Sequence, residues 1–411
     1  MSSPPDPPVL RRRVFYISGY DPFPPRRYRE LYRKEAADQA QISGYEIAVS
    51  RSDTGPSGWQ VRSTQDGHRT VTSVEVLVWS DIVRESFSAT PGGTYLAMVR
   101  TARIYVFSGA LRRLVRLRKG PVIAAFYPVV MLLFQAALAL TAAVLVFRAG
   151  TGLMTGDRLV MLRTALVAGF GPIAALGVLR AFRAMDNRFF AHYLMHDFAY
   201  TASAGGAYPK PLSDRLDDFA QQIRDALREE SDEVLVVGHS SGAFLAVTVL
   251  ARLMRRAPPD PDGPVLSLLT LGQVVPMKSF LQGADDLRRD LRDMGAQQEI
   301  FWADVSAPGD GCSFALCDPV RVSGQAMQGT RWPLVLSAAF TQTLSPDRWR
   351  ALRRRFFRLH FQYLCAFDRP GHYDYFRITA GPQTLRTRYG DRAPSPSVIT
   401  TALSGHALAT G

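Results

Sequence analysis

Cysteine is scarce. Cys312, Cys317 and Cys365 are the only three in 411 residues, an odd number at spacings that build neither a disulfide scaffold nor a thiolate metal site, and one that suits a reducing compartment. Lysine is almost as rare, with Lys34, Lys119, Lys210 and Lys278 its only members, so the formal charge of +13 is carried by arginine. The arginines are dispersed, and zinc-finger, RNP and helix-turn-helix signatures are missing; nucleic acid is therefore not an expected partner. The near-absence of apolar residues after Arg11-Arg12-Arg13-Val14-Phe15, where Ser18-Gly-Tyr-Asp-Pro-Phe-Pro-Pro follows, excludes an apolar signal core, and no cleaved signal peptide is expected. Charge is missing altogether from Val122 to Phe147.

What is present is a 47% hydrophobic composition, enough for a substantial core. The stretch that organises it runs from Glu233 to Arg255. Glu233–Val237 is short, β-branched and apolar, as in a strand buried on both faces, and Ala243–Arg255 reads as a helix. Between them stands Gly238-His239-Ser240-Ser241-Gly242. A turn this sharp crowds the backbone, which calls for residues without side chains on either side of an exposed serine. The following helix aims its first amides at the space above Ser240, where the amide of Ser241 can meet a developing oxyanion.

In these residues the chain resembles the α/β-hydrolase superfamily of serine esterases and lipases. The resemblance implies an α/β fold: a mostly parallel sheet with helices on both faces. It also implies a second oxyanion donor in a glycine loop after an early strand. Here that strand is Val14–Ile17 and the loop is Ser18-Gly19-Tyr20, which departs from the usual His-Gly pair; the amide of Tyr20 is the expected donor.

Arg27–Gln41 reads as a charged helix. Tyr45–Ser50, Trp59–Ser63 and Val71–Trp79 read as strands, the last two joined by a hairpin turn at Gln65-Asp66-Gly67-His68, so the sheet is expected to begin antiparallel. Tyr95–Lys119 reads as one basic amphipathic helix suited to a lipid interface or to a solvated protein face.

Val122–Phe147 is long enough to cross a hydrocarbon core of roughly 30 Å. Leu159–Phe182 is a second span, with Arg163 and Arg180 near its ends and Gly169, Gly171 and Pro172 inside. The loop Arg148–Arg158 carries few charges, whereas Arg112–Lys119 and Arg180–Arg188 flank the outer ends. The positive-inside rule then puts the outer ends and the catalytic domain in the cytoplasm, in a multi-pass protein of the inner (cytoplasmic) membrane. The expected organisation is a loose tail at 1–12, a first hydrolase piece at 13–105, the basic segment and hairpin at 106–185, a second hydrolase piece at 186–395, and a loose tail at 396–411. Asn187–Ala207 reads as aromatic and irregular; His192 and His196 stand at helical spacing but lack a third ligand, and no metal is expected.

A serine needs a neutral imidazole to take its proton and a carboxylate to orient the ring. In the superfamily the order is serine, acid, histidine, and that order directs the search. After the strands Val265–Leu271 and Glu299–Val305 comes Ser306-Ala-Pro-Gly-Asp310-Gly311-Cys312, which makes Asp310 the expected acid, with Asp304 and then Asp318 behind it. Of the three downstream histidines, His360 follows an aromatic run, His372 lies on a loop, and His406 sits in a Ser, Gly and Ala-rich tail. His360 is the expected base and His372 stays open.

The expected activity is a membrane-anchored serine hydrolase that cleaves a carboxylic ester, of a lipid or other apolar substrate, through an acyl-enzyme on Ser240. It needs no cofactor. Membrane lipids are the expected surroundings. An acyltransferase using the same acyl-enzyme, or a non-catalytic membrane adaptor, remains the alternative.

Overall fold

A computed structural model describes residues 7–51, 55, 57–88, 90–153 and 160–407, the side chains of 151–153 and 160–167 excepted. The outer parts of both expected tails, residues 154–158 of the expected inter-span loop, and Leu159 lie outside the described residues.

Eight strands form one mixed sheet in the order β2-β3-β4-β1-β5-β6-β7-β8. They are β1 Arg11–Ile17, β2 Glu46–Arg51, β3 Gly58–Gln65, β4 His68–Val76, β5 Glu233–His239, β6 Val265–Leu271, β7 Phe301–Ser306 and β8 Leu334–Ser337. β2, β3 and β4 are antiparallel, whereas β4, β1, β5, β6, β7 and β8 are parallel. The hairpin turn between β3 and β4 carries Asp66 at φ 51° and Gly67 at φ 79°, as a two-residue turn matched to strand twist requires.

β1 begins earlier than its apolar residues do. Arg12 is fully buried there because its guanidinium pairs with Glu233 on β5 at 2.7 Å and donates to the carbonyls of Gly381 and Gln383. Glu233 also accepts from Ser267 on β6 and from the Leu385 amide. The N-terminal arginine run is thus part of the sheet, held by a paired and saturated buried charge.

Period-two alternation sends alternate strand residues to opposite layers. Val14, Tyr16, Leu235, Val237, Leu269 and Leu271 share a cluster with aromatic residues of Pro25–Ser43 and of the C-terminal segments after β8. Ser241–Arg256 covers the other face and is buried along most of its length. The C-terminal stretch expected to be loose is pinned: Ile399 pairs with Cys317, and the His406 carbonyl accepts from Gln325.

The chain divides into two compact units. One comprises Met1–Glu85, Val106–Pro121 and Ser203–Gly411 and holds the sheet; the other comprises Ser86–Tyr105 and Val122–Ala202. The expected basic helix at 95–119 is instead two helices, Pro91–Phe107 and Ala110–Leu117, parted by Gly109 at φ 71°. Glycine adopts that left-handed conformation without a Cβ clash, so the helical period is broken there. Lys119–Leu153 follows, and Val160–Ala184 is the next helix. Among the described residues, one helix is long and apolar enough to cross a membrane, Lys119–Gly150, and 17% of its most apolar window is buried. Ile123, Val130, Leu133, Leu140 and Leu145 lie on its exposed surface. The segment expected to be irregular contains a helix, Ala191–Ala202, two of whose first-turn amides, those of His192 and Tyr193, donate to the Asp186 carboxylate.

Candidate functional site

The carboxyl ends of the parallel strands lie at one edge of the sheet, and the loops leaving them are where α/β proteins place chemistry. Ser240 leaves β5, Gly272 leaves β6, Asp310 follows β7 and Ser18-Gly19-Tyr20 leaves β1.

Ser240 sits at φ 58°, ψ −123° between β5 and the helix Ser241–Arg256. A non-glycine residue rarely adopts this conformation, and its strain is sustained only by surroundings that over-determine the turn. The glycines provide them. A methyl group at Gly238 would lie 2.5 Å from the Gly242 carbonyl oxygen and 2.8 Å from the Ala243 Cα, and one at Gly242 would run into the Ile17 and Ser18 carbonyls. The Ser240 amide donates to the Leu271 carbonyl at 2.9 Å, tying the turn to β6. The serine is half-buried.

The β1 loop closes against it. A methyl group at Gly19 would stand 3.0 Å from Ser240 Cβ and 3.3 Å from its Oγ, so only glycine lets the two backbones approach. The Trp79 indole donates to the Ser18 carbonyl at 3.1 Å and its ring meets that of Tyr20 edge-on, while Asp21 accepts from Phe23 N at 2.9 Å and from the Tyr28 hydroxyl at 2.5 Å. The loop bearing the Tyr20 amide is therefore fixed. Ser241 opens the helix on the other side, where first-turn amides have no intrahelical acceptor.

Asp310 and His360 come together: Nδ1 of His360 lies 2.8 Å from Oδ2 of Asp310. The other carboxylate oxygen accepts from the Cys312 amide at 2.9 Å. Burial alone would raise the Asp310 pKa, but the adjacent imidazole and these donors outweigh it and hold the carboxyl below its ordinary value. A carboxylate only accepts, so Nδ1 of His360 is the donor in this pair and Nε2 is the ring nitrogen left to face a reacting group.

His360 also lies beside the serine turn. A methyl group at Gly272, the residue after the Leu271 that binds the Ser240 amide, would be 3.2 Å from His360 Cε1. His239, the residue before Ser240, donates from Nε2 to the His360 carbonyl at 3.0 Å, and the two rings lie 4.8 Å apart. Burial drives the His239 pKa down to about 3 with the help of the neighbouring ring, so it is a neutral donor.

The other sequence candidates go elsewhere. Asp304 is fully buried on β7 and bonds the Thr270 hydroxyl at 2.6 Å, with burial raising its pKa to about 8. Asp318 caps Pro319–Val322 and pairs with Arg321 at 2.5 Å. His372 is exposed, and its carbonyl accepts from Tyr389. His192 sits between Thr94 and Gln135, and His196 bonds the Ser88 amide and the His192 carbonyl, so protein groups occupy both rings.

Two features were not legible beforehand. Tyr363 donates to Asp310 Oδ2 at 3.0 Å and accepts from the Ala307 amide at 3.0 Å; its position three residues after His360 was the one available hint. Lys278 is buried, with its Nζ 4.4 Å from the Tyr208 ring centre and 3.3 Å from the Ala207 carbonyl, and burial lowers its pKa to about 7.

Asp310, Cys312 and His360 also offer three ligand atoms within 4.8 Å of one another. A bridging ion with bonds near 2.1 Å would hold two ligand atoms about 3 Å or more apart. The direct 2.8 Å contact is instead a charge-assisted hydrogen bond, and burial beside Asp310 keeps the Cys312 thiol protonated. No family model, curated protein or solved structure matches this chain.

Proposed function

We propose that this protein is a membrane-tethered serine hydrolase of α/β-hydrolase type that cleaves carboxylic esters of lipids or other apolar substrates. The observation that carries the reading is a half-buried serine in a strained strand-to-helix turn whose preceding residue, His239, bonds the His360 carbonyl, while Nδ1 of His360 is engaged by the buried Asp310 carboxylate.

In this reading Ser240 Oγ attacks the ester carbonyl carbon as its proton passes to His360 Nε2. The Asp310 carboxylate stabilises the imidazolium that forms. The Ser241 and Tyr20 amides receive the oxyanion, each contributing on the order of 3 kcal/mol to the transition state. Collapse of the intermediate breaks the bond to the leaving oxygen, which takes the proton from His360. Water then attacks the acyl-enzyme with the same histidine as base, and release of the acid restores the serine.

The tether is the second part of the proposal. The helix beginning at Lys119 exposes apolar side chains from Ile123 to Phe147, as a helix surrounded by lipid does. Val160–Ala184 would return the chain as the second arm of a hairpin, with the sheet-bearing unit in the cytoplasm.

A fluorophosphonate probe tests the catalytic part. It is expected to label the detergent-solubilised protein at Ser240, with labelling lost in Ser240→Ala. Absence of labelling in a folded wild-type protein would favour a non-catalytic adaptor. Product analysis with added alcohols or amines separates hydrolysis from acyl transfer.

A further inference from the structure

The loop that carries Asp310 lies between two basic runs. On one side, the Arg118 guanidinium donates to the Pro308 carbonyl at 3.3 Å, and a methyl group at Gly120 would be 3.6 Å from the Gly311 Cα. Gly120 lies in the first turn of the apolar helix and Arg118 just precedes it; Lys119, its first residue, is exposed, as are Arg112 and Arg116 on the short helix before it. On the other side, a methyl group at Gly311 would be 3.5 Å from the ring of Phe356, which is 57% exposed and stands one helical turn before His360.

Arg353, Arg354, Arg355 and Arg358 surround that ring in sequence and are exposed. Among the described residues none of the four has a carboxylate partner, whereas Arg348 and Arg350, slightly earlier in the chain, pair with Asp368 and Asp347. Asp310 offers no neutralising surface charge, because it is 1% exposed and engaged by His360. Unpaired guanidinium groups have donors in the planar fork that fits phosphate and carboxylate oxygens. An exposed aromatic ring among them matches the composition of a surface that rests at lipid headgroups.

We propose that the approach to Ser240 selects esters of lipids with anionic headgroups, which Arg353, Arg354 and Arg358 engage at the bilayer surface. The inference rests on Ser240 being the nucleophile. Arg118 and Gly120 lie against the acid loop on one side and Phe356 on the other, so the two basic runs flank the same loop of the sheet-bearing unit. Negative headgroups concentrate beside the basic runs, and their acyl esters are presented near the serine.

The test compares two lipids with the same acyl chains, phosphatidylglycerol and phosphatidylcholine, in micelles of a neutral detergent with the full chain. The wild-type protein is expected to cleave the anionic lipid faster by about tenfold. That ratio should fall toward one at about 0.5 M salt and in the combined Arg353→Gln, Arg354→Gln and Arg358→Gln variant. The combined Lys variant should retain most of it, because charge is kept. The ratio is internal to each protein, and the salt titration needs no variant, so a folding defect cannot imitate the result. Equal rates on both lipids, or a ratio indifferent to salt, overturns the proposal. Cleavage of a soluble short-chain ester with neither lipid cleaved overturns it while leaving Ser240 a catalyst, and failure on all three substrates overturns both.

Discussion

Tyr363 donates its hydroxyl to the Asp310 oxygen that His360 also contacts, at 3.0 Å and 2.8 Å respectively. Its oxygen also satisfies the Ala307 amide on the same loop. Tyr363→Phe removes both bonds and leaves a buried amide without an acceptor, so a stability loss of about 1–3 kcal/mol is expected in denaturant unfolding. Activity should fall but survive, because the His360 contact remains. Unchanged stability would show that another group takes over the Ala307 amide.

The two aspartates separated by one loop should behave in opposite ways. Asp310→Asn is expected to reduce kcat by about 10³–10⁴-fold, since an amide cannot hold the required tautomer or stabilise an imidazolium. Asp304→Asn should leave kcat close to wild type. Asp304 has its pKa raised to about 8 by burial, so its ionisation opposes folding above the unfolded value and increasingly so up to that pH. Replacing it should therefore stabilise the protein more at pH 9 than at pH 5. Equal loss of activity in the two variants would sink the assignment of the acid.

Strain at Ser240 offers a separate measurement. At φ 58° and ψ −123° a residue with a Cβ is disfavoured, and Ser240→Gly should raise unfolding free energy by about 1 kcal/mol while abolishing ester cleavage. Stabilisation coupled to loss of function is the signature sought. A destabilised glycine variant would mean that serine's own contacts outweigh the backbone strain.

Lys278 should make stability rise with pH. Its folded-state pKa of about 7 lies below the ordinary lysine value of 10.5, so the unfolded chain binds the extra proton between those limits. The protonated amine opposes folding most strongly below pH 7, and that effect fades as pH rises toward 10.5. Lys278→Met is expected to stabilise at pH 6 by on the order of 3 kcal/mol relative to its effect at pH 10. Thermal unfolding of both proteins across this range checks the sign; a constant difference would locate the ammonium in a better-solvated site.

Local chemistry determined much of this protein without reference to its fold. Gly238-His239-Ser240-Ser241-Gly242 between a β-branched run and an apolar helical pattern specified a strand, a sharp turn and a helix, because each depends on neighbours a few residues away. The uncharged Val122–Phe147 segment specified a long apolar helix for the same reason. Tertiary structure decided which distant groups meet. Asp310 and His360 are 50 positions apart, and they pair because a loop after β7 and a short helix after β8 reach the same sheet edge. Arg12 became a core residue because its strand lies opposite Glu233, and Tyr363 joined the acid because the turn after His360 points it there. Such contacts depend on strand order and packing, which the periodicity of one segment does not encode.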